Sequence, residues 1–418
     1  MHGLATGGDA VGRQQGGAHD GRATFIPLAA PGDEVRARLL KEKARVAWAE
    51  LVELRTASPL RVAPPCPYFG TCGGCQWQHV SLQAQRAAKR EFVERALGAA
   101  VDELVAPSDS GYGYRDRARL TVQGGAVGFR ARRSHDVVDI ERCLLLGDEA
   151  SRALEAVRAR VAALPDGAEV DLQAGAEGVH VAVRSRAPLP AERASSVAAA
   201  WKEHGAGIAG TIVATGELPP STYGAPDVDV AEAAGAPLRI PAGGFAQVGR
   251  AANAALVAAV MRAVGDAPGV VLELYAGSGN FTRHLLSRAS RVVAHDGDPR
   301  AVERGRRNAG AASWNAGRVP TGAEAVADTV LVDPPREGLD GENFTAATRA
   351  RRRLVYVSCD PQTLGRDATK LRALGFHLRH AVALDLMPQT FHVEVVATFE
   401  RMAPEDQSGG SALRASST

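Results

Sequence analysis

The chain reads as an α/β protein whose C-terminal half is a parallel sheet. Three observations carry that reading. From Pro241 onward, four short apolar runs alternate with helical stretches: Val270–Leu274, Arg291–Ala294, Thr329–Val332 and Leu354–Val357. These runs are nearly continuous in apolar character, as strands covered on both faces are. The first 56 residues instead carry short alternating segments broken by Gly and Pro, the pattern of a small antiparallel β-barrel.

At 418 residues the chain exceeds what one hydrophobic core serves, so two or three domains are expected. The boundaries are set at 1–56 for the barrel, 57–240 for an α+β middle domain and 241–402 for the parallel α/β domain. A Ser/Gly/Ala-rich tail at 403–418 is expected to be disordered. A hydrophobic content of 45% and a charged content of 23% are ordinary for a globular protein. No apolar run is long enough to cross a bilayer, so no membrane association is expected. The Gly-rich, polar start lacks the apolar stretch of a signal peptide. Five oddly spaced cysteines do not make a secreted disulfide scaffold. A cytoplasmic, monomeric enzyme is the expectation.

Along the chain, the barrel strands are expected in Thr24–Pro27, Glu34–Leu39 and Arg45–Val52, with the first strand short. The middle domain opens on Cys66-x5-Cys72-x2-Cys75, with Cys143 far downstream. Three close thiols and a distant fourth can hold zinc or a [4Fe–4S] cluster, and the spacing does not choose between them. A helix is expected over Leu82–Leu97 and a strand over Val179–Arg184. Between Gly111 and Arg133, six arginines (115, 117, 119, 130, 132 and 133) stand against one aspartate, and Arg349, Arg351, Arg352 and Arg353 form a second basic cluster. Such patches neutralise phosphates or form solvated faces.

In the C-terminal half, the run Val270–Leu274 leads into Tyr-Ala-Gly-Ser-Gly-Asn-Phe-Thr282. Gly277 and Gly279 let a ligand approach the backbone at the carboxyl end of a strand. Asp296 ends the next run, where a carboxylate can accept hydrogen bonds from ribose hydroxyls. The pattern suits a dinucleotide or S-adenosylmethionine. Asp333-Pro-Pro-Arg-Glu-Gly338 follows the third run as a rigid loop in the same cleft. Cys359 follows the fourth run and precedes Asp360-Pro361, so its sulfur is presented at a sheet edge.

Together these pieces resemble the RNA (uracil-5-)-methyltransferase family, in its iron–sulfur-containing, 23S rRNA-type branch. The resemblance rests on Val271–Thr282, Asp333–Gly338, Val357-Ser-Cys-Asp-Pro-Gln-Thr-Leu-Gly-Arg-Asp367, Met387-Pro-Gln-Thr-Phe-His-Val-Glu394, Gly243–Val248 and Cys66–Cys75, in consistent order from about residue 3 to 400. It implies a Rossmann-like class I S-adenosylmethionine-dependent methyltransferase domain. Before it would stand a TRAM- or OB-like RNA-binding barrel and an α+β domain carrying the cluster. It implies Cys359 as nucleophile and Glu394 as general base. Gln247, Tyr275, Gly277, Asn280, Asp296 and Asp333 would line the cofactor and uracil pocket, with Asn315 a further candidate, and Cys66, Cys72, Cys75 and Cys143 would hold a [4Fe–4S] cluster. The implied activity is formation of 5-methyluridine in RNA, in 23S rRNA, with transfer RNA the alternative and a non-catalytic RNA-binding or assembly factor the rival. Gly249 stands where the family has asparagine, Asp296 where it has glutamate, and Asp360 where asparagine is common.

The implied chemistry explains the residue types. Uracil C5 is too poor a nucleophile for a methyl sulfonium until a thiolate adds at C6; cysteine both attacks and departs well. A base must then remove the C5 proton, which suits a carboxylate whose affinity for protons is raised by burial. The target base must be single-stranded or flipped out of a helix.

Overall fold

All four apolar runs are strands, spanning Val270–Leu274, Arg291–Asp296, Thr329–Val332 and Arg353–Ser358. The structure, a computed structural model, describes residues 1–16, 19–216, 220–230, 236–320 and 326–401. The tail expected at 403–418 lies outside the described residues. Contacts divide the chain into two units. The first comprises Met1–Phe92, Ala106–Ala254 and Asp385–Val393; the second comprises Val93–Val105, Ala255–Leu384 and the chain from Glu394.

The second unit is built on an eight-stranded sheet. Its order is Ser313–Ala316, Arg291–Asp296, Val270–Leu274, Thr329–Val332, Arg353–Ser358, Glu394–Arg401, Phe376–Leu384 and Glu103–Val105. The first five strands are parallel, Glu394–Arg401 is antiparallel to both its neighbours, and Glu103–Val105 runs parallel to Phe376–Leu384. Val330, Leu331, Val332 and the run Leu354–Val357 are fully buried, which is why their sequence shows no alternation. Numbered by appearance, the parallel strands lie in the order 3-2-1-4-5. That order reverses between Val270–Leu274 and Thr329–Val332, and a doubly wound sheet binds its ligand at the carboxyl ends flanking such a reversal.

The first unit contains a five-stranded N-terminal sheet, ordered Gly3–Leu4, Ala10–Arg13, Ala23–Ile26, Val46–Thr56 and Glu34–Glu42. It is not wholly antiparallel, because Ala23–Ile26 pairs in parallel with Val46–Thr56. Buried Asp33 ties this sheet to the segment after it, accepting from the Ala30 and Ser58 amides at 2.6 and 2.9 Å and pairing with Arg61 at 2.6 Å. Val179–Arg184 falls within the strand Gly178–Ser185 of a seven-stranded sheet. The helix expected at Leu82–Leu97 spans those residues.

A candidate active site at the switch point of the sheet

The two strands at the reversal deliver Tyr275-Ala-Gly-Ser-Gly-Asn280 and Asp333-Pro-Pro-Arg336 at their carboxyl ends. In the first loop Gly277 and Gly279 have φ of +56° and +89°. A Cβ on Gly279 would lie 3.3 Å from the Trp314 ring, so the tight turn and the close approach both require glycine there. Tyr275 holds a φ of +62°, a conformation that costs an ordinary side chain free energy and concentrates at functional sites. Asp296 fastens the loop from the neighbouring strand: its two oxygens accept from the Gly277 and Asp298 amides, each at 2.8 Å. Each oxygen retains a second lone pair, enough for ribose hydroxyls. Asn315 pairs with His295 on the outermost parallel strand, one residue short of the Asp296–Ala316 pair.

Three carboxyl groups gather at the ends of three adjacent strands: Glu273, Asp296 and Asp333. Burial pushes Glu273 up to about 8, and Asp333 and Asp296 reinforce the shift. The Thr282 hydroxyl donates to Glu273 Oε2 at 2.7 Å, while Oε1 is buried without a partner. Burial likewise pushes Asp333 up to about 7. Carboxyls crowded in this way hold protons near neutral pH, release them to an arriving cation, and offer nothing to neutralise a dinucleotide's pyrophosphate. S-adenosylmethionine brings two positive centres, a sulfonium and an ammonium. Of the two ligands that the glycine loop suits, these surroundings fit S-adenosylmethionine better.

On the other side of Asp333, ladder register brings Cys359 and Glu394 together. Ser358 pairs with Val395 in the antiparallel ladder, so Cys359, one residue on, and Glu394, one residue back, lie opposite one another at the end of the pairing. Burial pushes the Cys359 thiol up to about 11, Glu394 and Asp333 push the same way, and Arg336 opposes them by charge and a side-chain hydrogen bond. Glu394 is buried and raised well above the usual carboxylate range, chiefly by desolvation, then by Asp333, with Arg336 again opposing. Arg336 is therefore a shared cationic partner of the thiol and the carboxyl, and it was missed in the sequence, where it reads as an exposed loop arginine.

The loops that carry these groups are held from behind. Buried Asp367 accepts from the Tyr356 hydroxyl at 2.9 Å and the Leu339 amide at 3.2 Å, and Arg366 reaches the Glu337 carbonyl at 2.6 Å. Asp360 caps the helix Pro361–Ala373, accepting from Gln362 and Thr363 at 2.9 and 3.0 Å; this is the ordinary work of aspartate or asparagine before a helix.

In the first unit, Cys66, Cys72, Cys75 and Cys143 line one cavity together with Arg115. Donors point at the sulfurs: the Gly74 amide lies 3.4 Å from Cys72 Sγ, the Leu145 and Leu146 amides serve Cys143, and Gln78 serves Cys75. Burial raises the Cys72, Cys75 and Cys143 thiols, Cys75 to about 12, and these donors act against that rise. The Arg115 side chain bonds with Tyr114, but its Nε is buried without a partner, and an orphaned buried donor costs about 1–3 kcal/mol. Among the described residues no group of three or more His, Cys, Asp or Glu is gathered tightly enough to hold a single ion. A four-iron cluster spreads its ligands over four metal atoms and tolerates wider spacing.

Gln247 belongs to the first unit, fixed between Ala246, whose carbonyl accepts from Arg117 at 2.6 Å, and Val248, whose carbonyl accepts from the Asp116 amide at 2.8 Å. The departure at Gly249 has a steric cause, since a Cβ there would lie 2.0 Å from the Tyr114 carbonyl oxygen. Asp116 instead accepts from the Arg250 amide at 2.6 Å, as an asparagine cap would. The basic stretch is less available to phosphate than its composition suggests. Arg119 pairs with Asp171 at 2.9 Å, and Arg132 and Arg133 both pair with Asp9 at 2.5 Å.

Comparison with known proteins agrees with this geometry. The family model described as tRNA (Uracil-5-)-methyltransferase matches residues 323–402. The 23S rRNA (uracil(1939)-C(5))-methyltransferase RlmD of Acidithiobacillus ferrooxidans is 35% identical, over 91% of this chain and 93% of its own. The RlmD protein of Alkalilimnicola ehrlichii is 34% identical, over 93% and 94%. The Pyrococcus abyssi tRNA (uracil-54, C5)-methyltransferase, solved with S-adenosyl-L-homocysteine, superposes with a TM-score of 0.72 at 26% identity, covering 94% of this chain and 100% of that one. Likeness on this scale, with the switch-point site built as described, makes the chain an enzyme of the RNA uracil-5-methyltransferase family, which uses S-adenosylmethionine as methyl donor.

Proposed function

We propose that the chain methylates C5 of a uridine in 23S rRNA through a covalent bond between Cys359 and uracil C6. The observation that carries this reading is the register of the Arg353–Ser358 and Glu394–Arg401 strands, which sets the thiol opposite the carboxyl. Cys359 Sγ, as thiolate, adds to C6, and the ring electrons move to C5. C5 takes the methyl group from the sulfonium, leaving S-adenosylhomocysteine. Glu394 removes the C5 proton, and the returning electron pair expels the thiolate. Arg336 lowers the cost of ionising Cys359, and Asp333 holds the uracil or the donor's ammonium. Gln247, Tyr275, Gly277, Asn280 and Asp296 are assigned to the donor and uracil pocket.

Cys66, Cys72, Cys75 and Cys143 are assigned to a [4Fe–4S] cluster, whose chemistry here is that of a structural staple joining distant segments. The donors on the sulfurs and the orphaned Arg115 Nε support that set. The N-terminal sheet is assigned as a TRAM-like RNA-binding module, and residues 57–240 as the cluster-bearing domain. Ribosomal RNA is favoured over transfer RNA by the names of the relatives that match at 34–35% identity. No described helix is long and apolar enough to cross a membrane, and none of the five cysteines is in a disulfide.

The test is incubation with labelled S-adenosylmethionine and separated 23S rRNA and tRNA from cells lacking the enzyme, alongside Cys359→Ala. 5-Methyluridine in 23S rRNA with the parent chain, and none with a Cys359→Ala variant that still binds the donor, is the expected result. Substantial turnover by that variant would end the covalent mechanism. Labelling of tRNA alone would move the substrate.

A further inference from the structure

The geometry points to Arg115 as the buried cation that balances the four-cysteine site and tunes how readily a cluster held there accepts an electron. This inference rests on the cluster reading above. The Arg115 backbone is paired to the chain just past Cys143: its amide donates to the Leu145 carbonyl at 2.8 Å, and its carbonyl accepts from the Gly147 amide at 2.9 Å. That pairing fixes the side chain on the wall of the cavity that all four cysteines line. The ionisable groups acting most strongly on it are Tyr114, Cys143 and Cys75. Its Nε is buried and unpartnered in the same place.

Arginine stays charged throughout the accessible pH range. A guanidinium withdrawn from water persists where an anion compensates it. Four neutral thiols do not compensate it. Four thiolates on an iron–sulfur core are net negative, and their sulfurs accept N–H donors. Arg119 pairs with Asp171 and Arg132 and Arg133 pair with Asp9, while Arg142, the other arginine on the cavity wall, is exposed to solvent, where its charge is screened. One-electron reduction adds negative charge to the site, which a fixed cation favours. Arg115 therefore raises the reduction potential, and its charge matters more than its shape.

The experiment uses the full chain purified anaerobically, with Arg115→Gln and Arg115→Lys. Iron and sulfide per chain are assayed, and the midpoint potential is measured by mediated titration followed by electron paramagnetic resonance. In Arg115→Gln the midpoint is expected to move negative. At a fixed potential the reduced-to-oxidised ratio should fall about tenfold, which is about 59 mV for one electron. Arg115→Lys should restore most of the shift. A glutamine variant with full iron content and an unmoved potential overturns the inference and leaves the cluster reading intact. A parent chain with no iron, or with stoichiometric zinc, overturns both. If the glutamine variant holds no cluster, the lysine variant decides: iron content and potential near the parent's support the charge role, and loss of the cluster there too overturns it.

Discussion

Glu394→Gln separates the two halves of the proposed reaction. Glutamine keeps the volume and one acceptor of glutamate but takes no proton. In the ligand-free protein Cys359 is pushed up to about 11, first by burial and then by Glu394. At pH 7 that leaves roughly one thiol in 10⁴ ionised. Glutamine cannot acquire the negative charge by which an ionised Glu394 opposes the thiolate, so addition at C6 is not impaired and the methyl group is still delivered. The C5 proton then has no base, and the thiolate cannot be expelled. Loss of a general base costs about 10²–10⁴ in rate. Release of methylated RNA should slow by that factor, while one methyl group per chain is still transferred and an RNA–protein adduct survives denaturing electrophoresis. The assay pairs single-turnover incorporation of labelled methyl with adduct counting. Turnover within about tenfold of the parent would refute the assignment of Glu394 as base. A folded, donor-binding variant that forms no adduct would refute the idea that addition is independent of it.

Three other outcomes follow from particular contacts. Asp333 is raised to about 7 from an ordinary value near 3.8, so its contribution to stability falls as pH rises between those values. Asp333→Asn should therefore stabilise the ligand-free protein at pH 7 and above, by at most about 4 kcal/mol for some three pKa units, while weakening donor or uracil binding; a lower melting temperature at pH 8 would contradict this. Gly249→Asn, which restores the residue usual in the family, should destabilise by about 1–3 kcal/mol because of the Tyr114 carbonyl 2.0 Å from the new Cβ, measurable by denaturant unfolding. Asp33 is held below the ordinary carboxylate range by Arg61 and two amides, against the opposing effect of its burial. Its contribution is present above about pH 4 and lost as pH falls through the lowered value; Asp33→Ala should cost about 3–5 kcal/mol at neutral pH and flatten acid unfolding of the first unit.

The parallel sheet was legible because strands buried on both faces need apolar side chains at every position, and Val330–Val332 and Leu354–Val357 show it directly. Cys359 and Glu394 were legible as types at strand ends, but their pairing was not, since register is set by the partner strand. Partner choice escaped the sequence elsewhere too. Alternation marks Ala23–Ile26 and Val46–Thr56 as strands without revealing that they run parallel. Nothing in the three residues Glu103–Val105 signals the edge strand they form beside Phe376–Leu384. The arginine run misled for the same reason: the Asp9 that neutralises Arg132 and Arg133 lies more than a hundred residues away in the chain. Arg336 stayed hidden because an exposed arginine in a loop carries no periodicity at all.

The same charges explain why the donor should govern the order of events. Without a ligand, Glu273, Asp333, Glu394 and Cys359 are all raised, so near neutral pH the site holds protons that catalysis needs gone. An arriving sulfonium and ammonium lower each of these values by attraction and release protons. The thiol is then easiest to ionise once the methyl group it serves is in place, which limits stray alkylation and oxidation of Cys359 in the empty protein. Methyl transfer turns the sulfonium into a neutral thioether and removes that attraction. The carboxyls regain their affinity for protons as S-adenosylhomocysteine forms, so the product is held less tightly than the donor. Donor binding should accordingly strengthen as pH rises from about 6 to 8, with proton release seen by calorimetry in buffers of different ionisation enthalpy, while S-adenosylhomocysteine binding should vary less. Equal pH dependence for the two ligands would mean that the carboxyl cluster does not read the sulfonium charge.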